Sequence, residues 1–226
     1  MGNKNWKTRA VAAAVMTGLL GFAAHADDTM SKQDKEQMKQ GKAVGEAASK
    51  RVKYVGSLAL FNNRQIELAR VAEEQASDPR VKEFATKIRT DHESNNQTLR
   101  TWAENQKMTI SALSDGSTSD TGVGGSGVQE GFNKGMDKAG EKLGKNIDET
   151  SREVEKLRGK QGPEFDKAFL SRIADDQKKG NEMLKKGRSE YKNDATFLAI
   201  LSETEGVVSG HETEAKELEK EMKKMK

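Results

Sequence analysis

Residues 81–102 read VKEFATKIRTDHESNNQTLRTW and decide the fold class. Within this stretch, one set of positions recurs at alternating spacings of four and three residues. These positions are Val81, Ala85, Ile88, His92, Asn95, Leu99 and Trp102. Such a stripe covers one face of an amphipathic helix and is typical of helices that pack against other helices. We therefore predict an α-helix here and name it helix B.

Three more segments carry the same helical period. Helix A is expected to run from residue 51 to about Ser77, where Asp78 can cap the next helix and Pro79 can open it. Helix C is expected to open at 162–164, and helix D after Asn193 or Asp194. With only two prolines and few valine, isoleucine or aromatic residues, the sequence predicts an all-α protein, arranged as an antiparallel four-helix bundle.

The chain divides into segments of different composition. The predicted segments are a signal peptide at 1–26, a polar, frayed lead-in at 27–50, helices A and B at 51–112, a flexible Gly/Ser-rich linker at 113–131, a marginal amphipathic helix at 132–160, and helices C and D at 161–226. Glycines weaken the helix at 132–160, which is interpreted as a loosely docked cover or, alternatively, as a helix that binds lipid or a partner.

The first residues predict export. Lys4, Lys7 and Arg9 precede an apolar run that is too short to span a bilayer comfortably, and small residues precede Asp27. We predict cleavage after Ala26 and a periplasmic or cell-envelope location. The formal net charge of the whole chain is +3, so removing these three positive charges leaves a neutral protein and no argument for a nucleic-acid partner. There is no cysteine, which excludes disulfides and thiol chemistry.

A polar layer is predicted halfway along the helices. His92 and His211 both take positions where the pattern requires an apolar side chain, and both lie near the middle of their helices. Asn62, Gln65 and Gln177 lie at the same level of helices A and C. Buried polar groups must bond to one another or to water. The layer is therefore either a structural network that fixes the register of the helices or a small metal or ligand site.

The metal interpretation uses His92 and His211 with one or two carboxylates around a divalent ion. The candidate carboxylates are Glu67, Asp176 and Glu205. Di-iron chemistry is not expected, because Arg89 and Val208 stand where a glutamate should precede each histidine by three residues. No catalytic motif is present, so we predict a protein that is not an enzyme and needs no other cofactor.

Several segments resemble a known family. They are Arg64–Ala72, Asp78–Ala85, Thr90–His92, Phe165–Leu170 and a late helical His211. Over residues 52–222 the chain resembles the bacterial predicted outer membrane protein family with the domain of unknown function DUF4142. The resemblance implies a ferritin-like four-helix domain in an exported protein with no established activity. It also implies that Gln65 and Gln177 replace a glutamate and a histidine, which removes two would-be metal ligands.

Taken together, these observations predict an exported, envelope-associated helical bundle that acts as a non-enzymatic binding or stress-related module. The alternative is a ferritin-like metal-binding protein that uses the mid-bundle layer. A third possibility is weak association with the envelope membrane through residues 132–157.

Overall fold

A computed structural model describes residues 31–108, 110–113 and 144–224 of the chain. These residues form five α-helices and one short 3₁₀ helix, and none of them lies in a strand. The α-helices are α1 (Lys32–Gln75), α2 (Pro79–Asn105), α3 (residues 144–158), α4 (Gly162–Glu190) and α5 (Ala195–Lys224), and the 3₁₀ helix is Ser111–Leu113. The predicted all-α class is confirmed.

Some predicted features lie outside the described residues. They are the signal peptide at 1–26, nearly all of the linker at 113–131, and residues 132–143 of the predicted amphipathic helix. The remainder of that helix is present as α3.

Helix α1 begins much earlier than predicted. The polar segment 27–50, expected to be frayed, is helical from Lys32 onward and continuous with helix A. A capping box starts it: the Ser31 hydroxyl accepts from the N–H of Asp34 (3.1 Å), and the Asp34 carboxylate accepts from the N–H of Ser31 (3.2 Å). Most side chains of residues 31–50 are exposed, so this part of the helix needs no apolar stripe.

The predicted helix starts of α2, α4 and α5 are confirmed. Asp78 caps α2 by accepting from the N–H of Arg80 (2.9 Å), and Pro79 is the first helical residue. Helix α4 opens at Gly162, as predicted. Asp194 caps α5 by accepting from the N–H of Phe197 (3.0 Å). Side-chain capping therefore marks the starts of α2 and α5, whereas α4 has no side-chain cap at Gln161 and carries a proline in its first turn.

Helix α2 ends at Asn105 rather than at residue 112. Lys107 then adopts a left-handed conformation with φ of 54°, which reverses the chain. The returning segment packs Ile110 and Leu113 against α1, and Arg100 Nε donates to the Leu113 carbonyl (3.0 Å). This return places a backbone carbonyl, that of Ala112, within reach of the middle of α1.

The core consists of two apolar clusters. Helix α1 contacts α2, α4 contacts α5, and smaller contacts join α1 to α4 and α2 to α5. The proline-end cluster includes Leu68, Phe84, Ile88, Phe165, Phe169 and Ile173. The aromatic-end cluster includes Leu58, Leu99, Trp102, Tyr191, Phe197 and Leu201. Each of these four helices places at least one buried polar residue between the two clusters, so a polar layer separates them.

Helix α3 lies on the outside of α1 and α4. Leu157 is buried and Val154 packs against the proline-end cluster, whereas Ile147 is 54% exposed. An ion pair between Glu153 and Arg172 of α4 (2.9 Å) adds to the contact. None of the described helices is long and apolar enough to span a membrane.

Candidate functional site

The five residues predicted for the central layer are all buried. Asn62 and Gln65 of α1, His92 of α2 and Gln177 of α4 have no exposed surface, and His211 of α5 is 1% exposed. The two imidazole rings lie next to each other, with centroids 5.4 Å apart and planes tilted by 51°. The helical stripe therefore directs these side chains inward, to a common level between the two apolar clusters.

A directional chain of hydrogen bonds leads into this layer from the 3₁₀ helix. It starts at the carbonyl of Ala112, which can only accept and takes a bond from Nδ2 of Asn63 (3.1 Å). Oδ1 of Asn63 accepts from Nδ2 of Asn96 (2.6 Å), whose Oδ1 accepts from Nδ2 of Asn62 (2.9 Å). The last free acceptor is Oδ1 of Asn62, which faces Nδ1 of His92 at 2.9 Å. Each amide is thus oriented by the one before it.

The chain fixes the tautomer of His92. Because Oδ1 of Asn62 can only accept, Nδ1 of His92 must carry the proton. In the neutral ring, Nε2 is then a lone-pair acceptor, and it lies 3.1 Å from the donor Nε2 of Gln177. The same Gln177 amide also donates to Oε1 of Gln65 (3.2 Å). His92 is therefore held by hydrogen bonds to α1 and α4.

His211 has the opposite tautomer. Its Nε2 lies 2.9 Å from the carboxylate of Asp91 on α2, so this nitrogen donates and Nδ1 carries the lone pair. The Asp91 side chain is 36% exposed, whereas the His211 side chain is 2% exposed. Each imidazole also makes an edge-to-face contact with a phenylalanine ring: His211 with Phe84, and His92 with Phe61.

Both histidines are held neutral. Burial, together with a smaller effect of the neighbouring His211, lowers the pKa of His92 to about 3. Burial also lowers the pKa of His211, although the Asp91 carboxylate acts in the opposite direction. The layer thus contains two uncharged imidazoles at neutral pH.

Glu67 and Asp176, the carboxylates predicted as metal ligands, do not offer free oxygens to the two histidines. Glu67 is exposed and pairs with Arg70 (2.9 Å), because it lies on the side of α1 opposite the core. Asp176 is buried, but its Oδ2 accepts from Arg64 (2.9 Å) and Arg172 (3.1 Å). Burial raises the pKa of Asp176 against the opposing charge of Arg64.

Glu205, the third carboxylate considered, pairs with Arg188 at 2.5 Å. Among residues 31–108, 110–113 and 144–224, no three His, Cys, Asp or Glu side chains are grouped so that they could hold a metal ion. A site made of histidines and carboxylates, as the sequence suggested, therefore has no complete donor set in the described part of the chain.

Two acceptor atoms of the layer have no hydrogen-bond partner within the described residues. They are Nδ1 of His211 and Oε1 of Gln177. Both belong to residues with 1% exposure or less. A buried acceptor without a donor costs about 1–3 kcal/mol, so these two atoms mark the point where the layer can accept a positively polarised ligand.

A separate groove of about 780 Å³ opens between α1, α3 and α4. Its apolar wall is formed by Leu60, Phe61, Ile147 and Met183. Its polar groups include Asn63, Arg64, Asp176 and Lys179. Phe61 separates the groove from the central layer, since its ring contacts His92 on one side and lines the groove on the other.

The buried Asp166 ties the turn between α1 and α2 to the start of α4. Its carboxylate accepts from the N–H groups of Ser77 (2.9 Å) and Asp78 (2.9 Å) and from the Ser77 hydroxyl. Two sequence segments that carried the family resemblance, Asp78–Ala85 and Phe165–Leu170, therefore meet through this one side chain.

A family model described as Domain of unknown function (DUF4142) matches residues 35–218. The chain belongs to the DUF4142 family. The resemblance predicted from the sequence is thereby confirmed, and the match begins within the part of α1 that was expected to be a frayed lead-in. The comparison with curated proteins found no match, and the comparison with solved structures found none either.

In this DUF4142 domain, several site residues were missed by sequence reasoning. Asp91 and Asn63 each lie next to a predicted layer residue in the chain, and Asn96 lies next to the stripe residue Asn95, but all three are off the inward stripe. They reach the layer residues from the helix flanks. The Thr90-Asp91-His92 segment was the one available signal, since it places a carboxylate beside a predicted buried histidine.

Proposed function

We propose that this DUF4142 protein is an exported, non-enzymatic binding module of the periplasm or cell envelope. The observation that carries this proposal is the groove of about 780 Å³ between α1, α3 and α4. Its volume lies within the range of about 300–1,000 Å³ typical of small-molecule sites. Its mixture of apolar and charged lining residues suits a small amphiphilic ligand.

A ferritin-like, antiparallel four-helix bundle is the proposed frame of this module. The pairing of α1 with α2 and of α4 with α5 supports it. The clusters support it as well: the proline-end cluster uses the C-terminal halves of α1 and α5 and the N-terminal halves of α2 and α4. Neighbouring helices that share a cluster in this way run in opposite directions.

The ligand is expected to place its apolar part against Leu60, Phe61 and Met183, and its polar part near Lys179. Lys179 is exposed and has no ion pair within 4.0 Å in the described part of the chain. The neighbouring Arg64 is already engaged by Asp176 (2.9 Å). An anionic head group can pair with Lys179, whereas the carboxylates of Glu67 and Glu149, which also line the groove, disfavour an anion near them.

Binding can be tested with the amphiphilic anion 1-anilinonaphthalene-8-sulfonate on the folded protein. We expect one saturable site by fluorescence titration. Ser57→Trp places a large ring at the groove wall and should abolish the site, whereas Ser202→Trp, at an exposed position of α5, should retain it. The groove is not the binding site if the two variants behave alike, or if the wild-type protein leaves the probe dim.

Export is supported by the basic start, the apolar run and the small residues before Asp27. Mass spectrometry of the protein recovered from the periplasmic fraction should find an N-terminus at Asp27. Recovery of the intact chain from the cytoplasm would refute the proposed location.

A divalent metal site built from His92, His211 and carboxylates is the second candidate considered from the sequence. The positions of the carboxylates do not favour it: Glu67 is exposed, and Asp176 is bound by two arginines. Any metal function must therefore use a different donor set.

A further inference from the structure

The two histidines are oriented as metal ligands usually are. A ligating imidazole commonly donates its outer N–H to a carboxylate or carbonyl oxygen, which fixes the ring and leaves the other nitrogen for the metal. His211 donates from Nε2 to Asp91 (2.9 Å), and His92 donates from Nδ1 to Asn62 (2.9 Å). The remaining ring nitrogens, His92 Nε2 and His211 Nδ1, both carry lone pairs inside the protein.

The layer contains both acceptors and donors without a partner: within the described residues, Nε2 of Gln65 and Nδ2 of Asn95 are buried donors that bond to nothing. His211 Nδ1 and Gln177 Oε1 have no partner within the described residues. Among the described residues, His92 Nε2 accepts only from the Gln177 amide, at 3.1 Å. Rotation of that carboxamide by half a turn would place Oε1 where Nε2 now lies, so that Gln177 would offer an oxygen next to His92.

The donors available are neutral, and this limits the charge of an ion that can bind. Two imidazoles and a carboxamide supply no negative charge, and the buried position penalises a high net charge. Asp91 contributes one negative charge through the N–H of His211. A monovalent ion is thus balanced, whereas a divalent ion leaves one positive charge uncompensated. Imidazole nitrogens suit copper, and two of them are enough for a linear d¹⁰ ion.

We infer that the central layer is a binding site for a single copper(I)-type cation, held by Nε2 of His92 and Nδ1 of His211, with Oε1 of Gln177 as a weaker third donor. The two imidazole rings are already neighbours, with centroids 5.4 Å apart. Binding would give a partner to each unpaired acceptor of the layer. This site is separate from the groove and independent of the function proposed for it.

Silver(I) nitrate in chloride-free buffer is a suitable redox-inert probe for the full-length folded protein. Titration calorimetry should give one tight site, and the melting temperature should rise with silver concentration. In ¹⁵N spectra, the unprotonated nitrogens of His92 and His211 should shift together, with the same one-to-one end point. Anaerobic copper(I), supplied as its acetonitrile complex, should compete with silver.

Three variants separate this site from soft binding elsewhere. His211→Gln should remove the tight site, and Asp91→Asn, which keeps both rings, should weaken it about 10- to 100-fold. Met183→Leu removes a thioether of the groove wall and should leave silver binding unchanged.

His92→Gln should also remove the tight site. If this variant is too unstable to purify, the His211 and Asp91 variants still test the inference. Silver binding that leaves both histidine signals in place would overturn the inference. Equal affinity of the wild type and His211→Gln would do so as well.

Discussion

Asp166 stabilises the turn between α1 and α2 from a third helix. Its fully buried carboxylate accepts both backbone N–H groups of the turn, at Ser77 and Asp78, and the Ser77 hydroxyl. Without this carboxylate, both N–H groups would lose their protein acceptor and would have to bond to water. The acidic residue in the Phe165–Leu170 segment therefore has a structural reason to be there.

Replacing Asp166 by alanine should lower the free energy of unfolding by about 1–3 kcal/mol, because two backbone donors and the Ser77 hydroxyl lose a charged acceptor. Urea denaturation followed by circular dichroism would measure this. Asp175→Ala removes an exposed carboxylate from the same helix and should change stability by less than about 0.5 kcal/mol. Equal effects of the two substitutions would contradict the assigned role.

Gly187 is required because the Tyr54 side chain crosses α4 there. A methyl group at Gly187 would overlap the Tyr54 hydroxyl, which donates to the Met183 carbonyl (3.2 Å). Gly187→Ala should therefore destabilise the protein by about 1–3 kcal/mol despite the higher helix propensity of alanine. Gly206→Ala, where a new Cβ meets nothing within 4 Å, should stabilise it by up to about 1 kcal/mol. Thermal denaturation of both variants tests the contrast.

At the level of single residues, helical periodicity predicted which polar side chains are buried, but not their partners. His92, Gln177 and His211 follow from the stripe. Asp91 and Asn96 could not be assigned, because a residue on the flank of a helix reaches the interior only once the crossing of its neighbour is known. Glu67 was placed in the layer by its level along α1, although its direction is outward.

At the level of elements, capping residues predicted helix starts well and composition predicted helix extent poorly. Asp78 and Asp194 mark the starts of α2 and α5 as expected. The polar segment before residue 51 was misjudged, because an exposed helix has no apolar stripe to recognise. The end of α2 was misjudged because the reversal at Lys107 uses a left-handed residue that is not glycine.

Helix α3 is expected to be the least stable of the described helices, since it docks on one side only. Leu157→Ala should release it and increase cleavage by trypsin near Arg158, while the central amides of α2 and α4 keep their hydrogen-exchange protection. Ile147→Ala changes a side chain that is 54% exposed and should have no effect. Uniform loss of protection throughout the protein would show that α3 is an integral part of the core.

For the whole molecule, the buried neutral histidines predict acid sensitivity. The unfolded chain protonates them below their ordinary pKa of 6.5, whereas folded His92 resists protonation down to about pH 3. Because the folded pKa is lowered, the stability contribution is complete above pH 6.5 and is lost as the pH falls below it. The raised pKa of Asp176 has the opposite effect, because it makes the folded protein more stable as the pH falls.

The free energy of unfolding should therefore decrease between pH 6.5 and pH 5 by up to about 1.4 kcal/mol per pH unit for His92, and the lowered pKa of His211 acts in the same direction. Urea denaturation at several pH values would give this slope. His92→Gln should remove the part of this slope that His92 contributes, since glutamine does not titrate. An unchanged slope in the variant would mean that His92 binds its proton as readily in the folded protein as in the unfolded chain.

The arrangement of the central layer can be tested most directly by long-range ¹H–¹⁵N NMR spectra of the histidine rings at pH 7. Two neutral rings of opposite tautomer are expected: His92 protonated at Nδ1, and His211 protonated at Nε2. Neither should titrate near pH 6.5. An imidazolium spectrum, two identical tautomers, or ordinary titration of either ring would contradict a buried layer oriented by Asn62 and Asp91.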